Sequence, residues 1–436
     1  MTHHMNRYLP IFFILVLVLA ACGGGQIGAT AAPGGSDAPA GTDGAAPTDA
    51  AFPEGDIAIE LWTKEGDAQL AFVEQLAADY TAEHPNVEIT VVNKDVELLR
   101  EDMVNTALSP DAQPELLWTV LDHVGPFVEA GVIQPIGGQF DESVLAESAL
   151  GSGEFNGEIW VAPINIGNQL MLYYNKSLAG EEAPADSDAM IATAQENTGD
   201  GAYGLVFNQT ESFWLVPFLG GFGGSVFADD GVTPTLNTDE MKSALEFLYN
   251  LKFTEAVTPT ECDYACASDN FTTGNAAMII NGDWELGNYS DLLGDDLGVA
   301  PIPAIAETGE LPKPYVGGSF YMVPSGVEGD TLTVVLDFID FTLAADQQRA
   351  LVSELSRLPA NGEVLADPSV TDDPLLQGAA EAVAAGVPQP INVEMRCNFD
   401  AMTAAVRDVL GNGNNDFDAV ALTMQEAAEN CIATLG

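Results

Sequence analysis

The sequence predicts an α/β fold of two lobes joined by crossover strands, and three observations carry that expectation. First, a strand, an amphipathic helix and a second strand follow one another between residues 57 and 92, which is the unit from which parallel sheets are built. Second, the stretch from Phe155 to Lys176 reads F-N-G-E-I-W-V-A-P-I-N-I-G-N-Q-L-M-L-Y-Y-N-K. Asn156 and Gly157 make a turn, 159–164 and 169–174 are apolar enough for buried strands, and little helix-forming sequence separates them. Two strands laid nearly end to end suit a backbone that leaves one lobe, runs along the wall of a cleft and enters another. Third, 436 residues with 47% hydrophobic content suffice for two domains with cores of their own.

Taken in order, the chain begins with Arg7 ahead of an apolar run over 9–19, interrupted by Pro10, and then Leu19-Ala20-Ala21-Cys22. The run is too short to cross about 30 Å of hydrocarbon comfortably. It resembles a bacterial lipoprotein signal, occupying 1–21, and that resemblance implies cleavage before Cys22 and acylation of Cys22. The protein is then expected outside the cytoplasm, anchored by its N-terminal lipid to the outer face of the cell membrane or in the periplasm. Residues 22–54 are dominated by Gly, Ala, Pro, Thr, Ser and Asp. Such a segment buries too little apolar surface to offset its ordering entropy, so a disordered tether is expected, with a root-mean-square reach of roughly 30 Å.

Residues 57–62 form a short apolar strand in which Glu60 is the one charged residue. Leu70, Val73, Leu76 or Ala77, and Tyr80 repeat at helical spacing, with Asp67 placed to cap and His84-Pro85 to stop the helix. Val87, Ile89 and Val91 then alternate with Glu88, Thr90 and Val92 as a strand. A helix over 98–108, a buried strand over 115–120 and a helix over 122–130 closed by Gly131 complete this part. Beyond the crossover, 188–195 reads as helix, 203–207 as strand and 211–219 as a short aromatic helix. The helix over 239–252 is capped by Thr238 and presents Met241, Ala244, Leu245, Leu248 and Leu251 on one face. Gly274 ends a helical turn, 276–280 is a strand, and Asn281-Gly282-Asp283-Trp284 is a turn ending in an aromatic. A strand over 315–323, helices over 331–343 and 345–355, and two tail helices over 399–410 and 417–435 follow. No internal repeat appears, so a solenoid is not expected.

The charge excludes whole classes of partner. Sixty-six acids against 12 bases give −54, and such a surface repels phosphate backbones and anionic headgroups, so nucleic acid is not a partner. The acids are scattered, which reads as a solvated coat. Setting Cys22 aside, Cys262, Cys266, Cys397 and Cys431 make an even set in an exported chain, and two disulfides are expected rather than a metal site. Of the three possible pairings, Cys262 with Cys266 and Cys397 with Cys431 are favoured. A metal at Cys262 and Cys266 would need two further close ligands, for which Asp263 and Asp269 are available. Asn412, Asn414, Asp416 and Asp418 alternate like the start of a calcium loop but lack its glycine and closing glutamate, and read as a polar turn. No cofactor is implied.

Several stretches together resemble the family 1 extracellular solute-binding proteins, the family of the maltodextrin-binding protein. They are I-A-I-E-L-W with the helix after it and H-P-N-V-E-I-T-V, P-E-L-L-W from Pro114, and V-A-P through Y-Y-N-K from Val161. F-T-T-G-N-A-A-M-I-I-N-G-D-W from Phe271, Y-V-G-G-S from Tyr315 and L-P-A-N from Leu358 complete the set. They fall in the family's order and cover nearly all of the chain after the tether. The resemblance implies a type II periplasmic-binding-protein fold with interleaved lobes, one of 55–165 and 320–366, the other of 166–319 and 367–436. It also implies a monomer that feeds a small-molecule ligand, a sugar, to the permease subunits of an ABC importer.

In open α/β sheets ligands bind beyond the carboxyl ends of the strands. The candidates there are Trp62, Lys64 and Glu65; Trp118, Asp122 and His123; Asn165 and Asn168; Glu211, Phe213 and Trp214; Trp284; and Tyr315 and Phe399. Flat aromatic faces stack on pyranose rings while carboxylates and amides meet hydroxyls, which is the chemistry of a neutral mono- or oligosaccharide. The sequence departs from the maltodextrin pattern at Thr119, where an aromatic is expected, at His123, where a guanidinium is expected, and at Asn168, near a missing carboxylate. A polyamine or betaine is the alternative ligand, since aromatics with carboxylates also make a cation box. A secreted glycoside hydrolase or a structural or sensory lipoprotein is the alternative class. No H-E-x-x-H, G-x-S-x-G or G-x-x-x-x-G-K-[ST] pattern is present, and an enzyme is not expected.

Overall fold

Two separate sheets, each fed by several distant parts of the chain, organise the computed structural model, which describes residues 52–150 and 153–435. The expected signal segment over 1–21, Cys22 and the expected tether up to residue 51 lie outside the described residues. Residues 52 and 53, expected as the end of a disordered tether, pack on the domain instead. Phe52 stacks on His84 at 4.3 Å, and the Asn86 side chain donates to the carbonyls of Pro53 and Gly55 at 3.0 and 2.8 Å.

The first sheet runs in the order Val87–Asn93, Ile57–Thr63, Leu116–Val120, Ser319–Pro324, Ile133–Gln134, and Ala162–Pro163 also pairs with Ser319–Pro324. The first three strands are parallel, as the β-α-β reading requires, and Ser319–Pro324 joins them antiparallel. The second sheet runs Tyr203–Phe207, Ala276–Gly282, Leu170–Asn175, Leu297–Ala300. Every residue of Leu170–Asn175 and of Ala276–Gly282 is buried, which is why these strands read as continuous apolar runs without alternation.

The expected crossover is present. Asn156 and Gly157 both take positive φ, 56° and 81°, and close a hairpin between Glu154–Phe155 and Glu158–Ile159. The chain pairs with the first sheet at Ala162–Pro163, bridges Gly317 at Gly167, and enters the second sheet at Leu170. A second segment returns alongside it. Instead of one strand over 315–323 there are two, Tyr315–Val316 and Ser319–Pro324, parted at Gly317 and Gly318. Gly318 has φ +145°, and a Cβ there would lie 2.1 Å from the Asn165 carbonyl oxygen, so only glycine lets the two crossing backbones come this close. Leu358–Pro359 pairs with Asn165–Ile166, after which helix Pro374–Ala385, unforeseen in the sequence, packs on the second sheet.

Other differences lie at element ends. Gly66, not Asp67, is the N-cap of helix Asp67–Glu83. The helix expected from 98 begins at Val96, because the Asp95 side chain accepts from the backbone N–H groups of Glu97 and Leu98. Asn281 and Gly282 extend their strand, and the first tail helix starts at Glu394, which puts Phe399 inside it. Cys262 pairs with Cys266, and Cys397 with Cys431, the latter joining Glu394–Val406 to Phe417–Ile432. The two sheets do not have wholly separate interiors, since one buried cluster continues from Ile59 and Leu61 through Phe338 and Leu355 to Tyr173 and Ile279. No helix among the described residues is long and apolar enough to cross a membrane.

Candidate functional site

Strands Ile57–Thr63 and Leu116–Val120 end side by side, Thr63 opposite Trp118, and deliver Lys64, Glu65, Asp122 and His123 to one end of the first sheet. Glu65 is 4% exposed and both of its carboxylate oxygens accept hydrogen bonds. It accepts from Arg357 Nη1 and Nη2 at 3.2 Å each, Lys64 Nζ at 2.7 Å, Trp118 Nε1 at 3.1 Å and Ser319 Oγ at 3.1 Å. Burial alone would raise this carboxyl, but the Arg357 and Lys64 charges outweigh it and hold the group well below the usual carboxylate range. Glu65 therefore ties strand ends together, with four of its five donors crowded on Oε1 and Arg357 Nη2 alone on Oε2.

Three of the expected stacking tryptophans belong to the interior. Trp118 is fully buried, its ring edge-on to Tyr321 at 5.3 Å. Trp62 is buried, donates to Glu60, and carries Lys94 Nζ 3.9 Å above its ring. Trp214 is buried and donates to the Ile280 carbonyl at 2.8 Å. His123 is also inside: its Nδ1 is 2.9 Å from Thr119 Oγ1, and burial pushes it down to about 3, so it is a neutral ring and no substitute for a guanidinium. Asp122, by contrast, is half-buried and has no side-chain partner among the described residues; burial pushes it up to about 6.

Asn165 and Asn168 hold the crossing strands. Asn165 Oδ1 accepts from Ser319 N at 2.9 Å. Asn168 takes φ +63°, donates its N–H to Asp283 Oδ1 at 2.9 Å and its Nδ2 to Gln389 Oε1 at 3.1 Å. Burial pushes the Asp283 carboxyl up to about 6.

The second sheet brings together an aromatic group. Phe213 and Trp284, both half-buried, lie 6.4 Å apart, and Trp214 backs Phe213 at 5.9 Å. The Trp284 indole N–H donates to Tyr264 Oη at 2.7 Å, and that hydroxyl donates to Glu285. Gln69, on the first helix beside the first sheet, donates Nε2 to the Trp284 carbonyl at 3.1 Å. Tyr315 is buried with Phe399 at 6.3 Å, and Glu211 is exposed at the start of the turn that carries Phe213.

Arg357, Ser319, Asp283, Gln69, Tyr264 and Glu285 were missed in the sequence. Arg357 carried a usable signal, being one of only 12 basic residues. A surface groove of about 380 Å³ lies elsewhere, lined by Glu74, Ala78, Thr81, Glu88 and Ile89. It contains none of these aromatics and is not read as the site. Among the described residues no set of three His, Cys, Asp or Glu side chains is placed to hold a metal. Asn412 and Asn414 donate to Asp408 and Asp416 caps the last helix, as a polar turn does.

The sequence model described as "Bacterial extracellular solute-binding protein" matches residues 75–378. The maltotriose-binding protein of Pyrococcus abyssi is 25% identical over 380 residues, covering 85% of this chain and 82% of that protein. A maltooligosaccharide ABC transporter solute-binding lipoprotein of Streptococcus pneumoniae is 25% identical over 323 residues, 70% of this chain and 73% of its own. The maltose/maltodextrin-binding domain MalE from Bdellovibrio bacteriovorus, bound to maltotriose, superposes with a TM-score of 0.80 at 28% identity, covering 86% of this chain and 100% of that one. The two-lobed α/β fold is therefore shared, and the chain belongs to the bacterial extracellular solute-binding proteins, which bind their ligand and do not transform it.

Proposed function

We propose that this chain is the receptor of an ABC importer and captures a neutral carbohydrate, a mono- or oligosaccharide, between lobes of 55–165 with 320–366 and 166–319 with 367–436. The observation that carries the reading is the half-buried ring of Trp284, beside Phe213, at a point where Gln69 of the other lobe reaches its backbone. An apolar ring face at the contact between lobes suits the apolar face of a pyranose, and Asp122 and Lys64 are polar groups available to hydroxyls. The malto-oligosaccharide relatives point the same way. A cationic ligand has less support, because Glu65 already pairs with Arg357 and Lys64, and Glu285 already accepts from Tyr264 and Asn288.

Closure is then a population shift: a ligand that touches both lobes favours the closed state, which alone makes all its contacts, and the permease reads that shape. The crossing strands at Gly167, Gly317 and Gly318 supply the hinge. Acylation of Cys22 would tether this monomer to the membrane, to be checked by mass spectrometry of the N-terminal peptide. Calorimetric titration with maltose, maltotriose, galacto-oligosaccharides and a panel of amines tests the ligand class. Heat from at least one sugar supports the proposal, and heat from amines alone overturns it.

A further inference from the structure

We propose that Tyr264, held in the small loop closed by the Cys262–Cys266 disulfide, is the residue that positions Trp284 for ligand stacking. The inference rests on the stacking role proposed above for Trp284. Three contacts fix that indole. Its N–H donates to Tyr264 Oη at 2.7 Å. Its six-membered ring lies over Gly282, where an added Cβ would meet ring carbons at 2.1 Å. Phe213 sits beside it at 6.4 Å.

Tyr264 is itself held from several sides. Its hydroxyl donates to Glu285, whose other oxygen accepts from Asn288 at 2.9 Å. Burial, then the Glu285 carboxylate, raises the phenol above its ordinary range, so the hydroxyl keeps its proton and the relay from indole to phenol to carboxylate keeps one direction. Two residues on each side of Tyr264 are the bonded cysteines, and Asp263 caps the same turn by accepting from Cys266 N at 2.9 Å. The loop is docked in turn on the segment that carries Phe213: Gln209 N donates to the Cys262 carbonyl at 2.9 Å, and the buried Lys252 grips Gln209 Oε1 at 2.9 Å and the Leu410 carbonyl at 2.6 Å.

The arrangement has a chemical consequence. With its N–H engaged inside the protein, Trp284 offers a ligand only its ring face. Recognition there is stacking on an apolar face, and its geometry depends on a tyrosine that itself need not touch the ligand.

The test uses Tyr264→Phe, the Cys262→Ser/Cys266→Ser pair and Glu285→Ala, with maltotriose as probe. In ligand-free ¹H–¹⁵N spectra the Trp284 indole signal, identified by its loss in Trp284→Phe, should move in Tyr264→Phe while those of Trp62 and Trp118 stay. Affinity for maltotriose should fall about tenfold, as expected for one lost buried hydrogen bond, with the cysteine pair moving the same way. An unmoved indole signal, or wild-type affinity in Tyr264→Phe, overturns the inference. Should Tyr264→Phe fail to fold, Glu285→Ala gives the same two readings. Should the wild type bind no sugar, the ligand proposal falls, while the indole spectra still decide whether Tyr264 holds Trp284.

Discussion

Glu65 and Arg357 meet through two hydrogen bonds of 3.2 Å although 292 residues separate them. One side chain follows the first strand and the other precedes Leu358–Pro359, which pairs with the crossing strand at Asn165–Ile166, so the ion pair locks the base of the crossover. Both groups are buried; removing Glu65 strands the Arg357 guanidinium, and removing Arg357 leaves Glu65 with Lys64, Trp118 and Ser319 but without the charge that compensates its burial most. Arg357→Met should cost about 3–5 kcal/mol of unfolding free energy, read by urea denaturation at pH 7. The double variant Glu65→Leu/Arg357→Met should recover much of that loss; a double variant as unstable as the sum of the singles would show that the charges are not coupled.

The pH dependence has two opposed contributions. Glu65 has a folded-state pKa depressed below its unfolded value, so its stabilisation is full above about pH 5 and is lost as acid protonates it. Asp283 is the reverse case: burial pushes it up to about 6, so the native state holds a proton that the unfolded state has released between about pH 4 and 6, and stability from this group falls as pH rises through that window. Asp283→Asn keeps an oxygen for the Asn168 N–H. It should raise stability at pH 7 by about 1–2 kcal/mol and flatten the profile between pH 4 and 6. Unchanged stability at pH 7 would mean that the carboxylate is already compensated there.

Burial separates the tryptophans into two kinds, and substitution should do the same. Trp118→Ala removes a fully buried ring and should cost about 3–5 kcal/mol of stability. Trp284→Ala, at a half-buried position, should leave the thermal midpoint within a few degrees yet weaken maltotriose binding by at least about tenfold. Equal affinities for Trp284→Ala and wild type, in calorimetry, would remove Trp284 from the site.

These tryptophans also show what a sequence can and cannot disclose. Leu116–Val120 reads L-L-W-T-V, and a run without alternation already says that both faces of the strand are covered, so the burial of Trp118 was legible in its neighbours. The cap at Thr238, the hairpin at Asn156-Gly157 and both disulfides were legible because each depends on residues close in sequence or few in number. The engagement of Glu65 was not, since its partner lies at the far end of the chain and nothing local marks it. Tyr264 was hidden for a different reason: a tyrosine between two cysteines has no pattern of its own, and its role comes from where the disulfide loop lands on the second sheet.

The Cys397–Cys431 bond spans 34 residues and joins the two tail helices. Closing a loop of that length lowers the entropy of the unfolded chain, so the Cys397→Ser/Cys431→Ser pair should lose about 3–4 kcal/mol in denaturant titration. A loss below 1 kcal/mol would imply that the unfolded chain keeps these helices together without the bond.

The acidic surface should make stability depend on salt in one direction. A net charge of −54 repels itself in the compact state more than in the expanded one, and few bases are available to offset it: Lys242 lies among Asp239 and Asp418, and Arg349 among Asp346, Glu363 and Asp367. Added salt shortens the screening length to about 10 Å at 0.1 M and less above it, weakening many long-range repulsions but only a few exposed attractions. The thermal midpoint should therefore rise by about 2–4 °C between low salt and 0.5 M sodium chloride, and do so equally in potassium chloride, since the effect is screening and not ion-specific binding. A midpoint that falls with salt would mean that the surface ion pairs outweigh the repulsion, and one that responds to sodium alone would point to a bound cation instead.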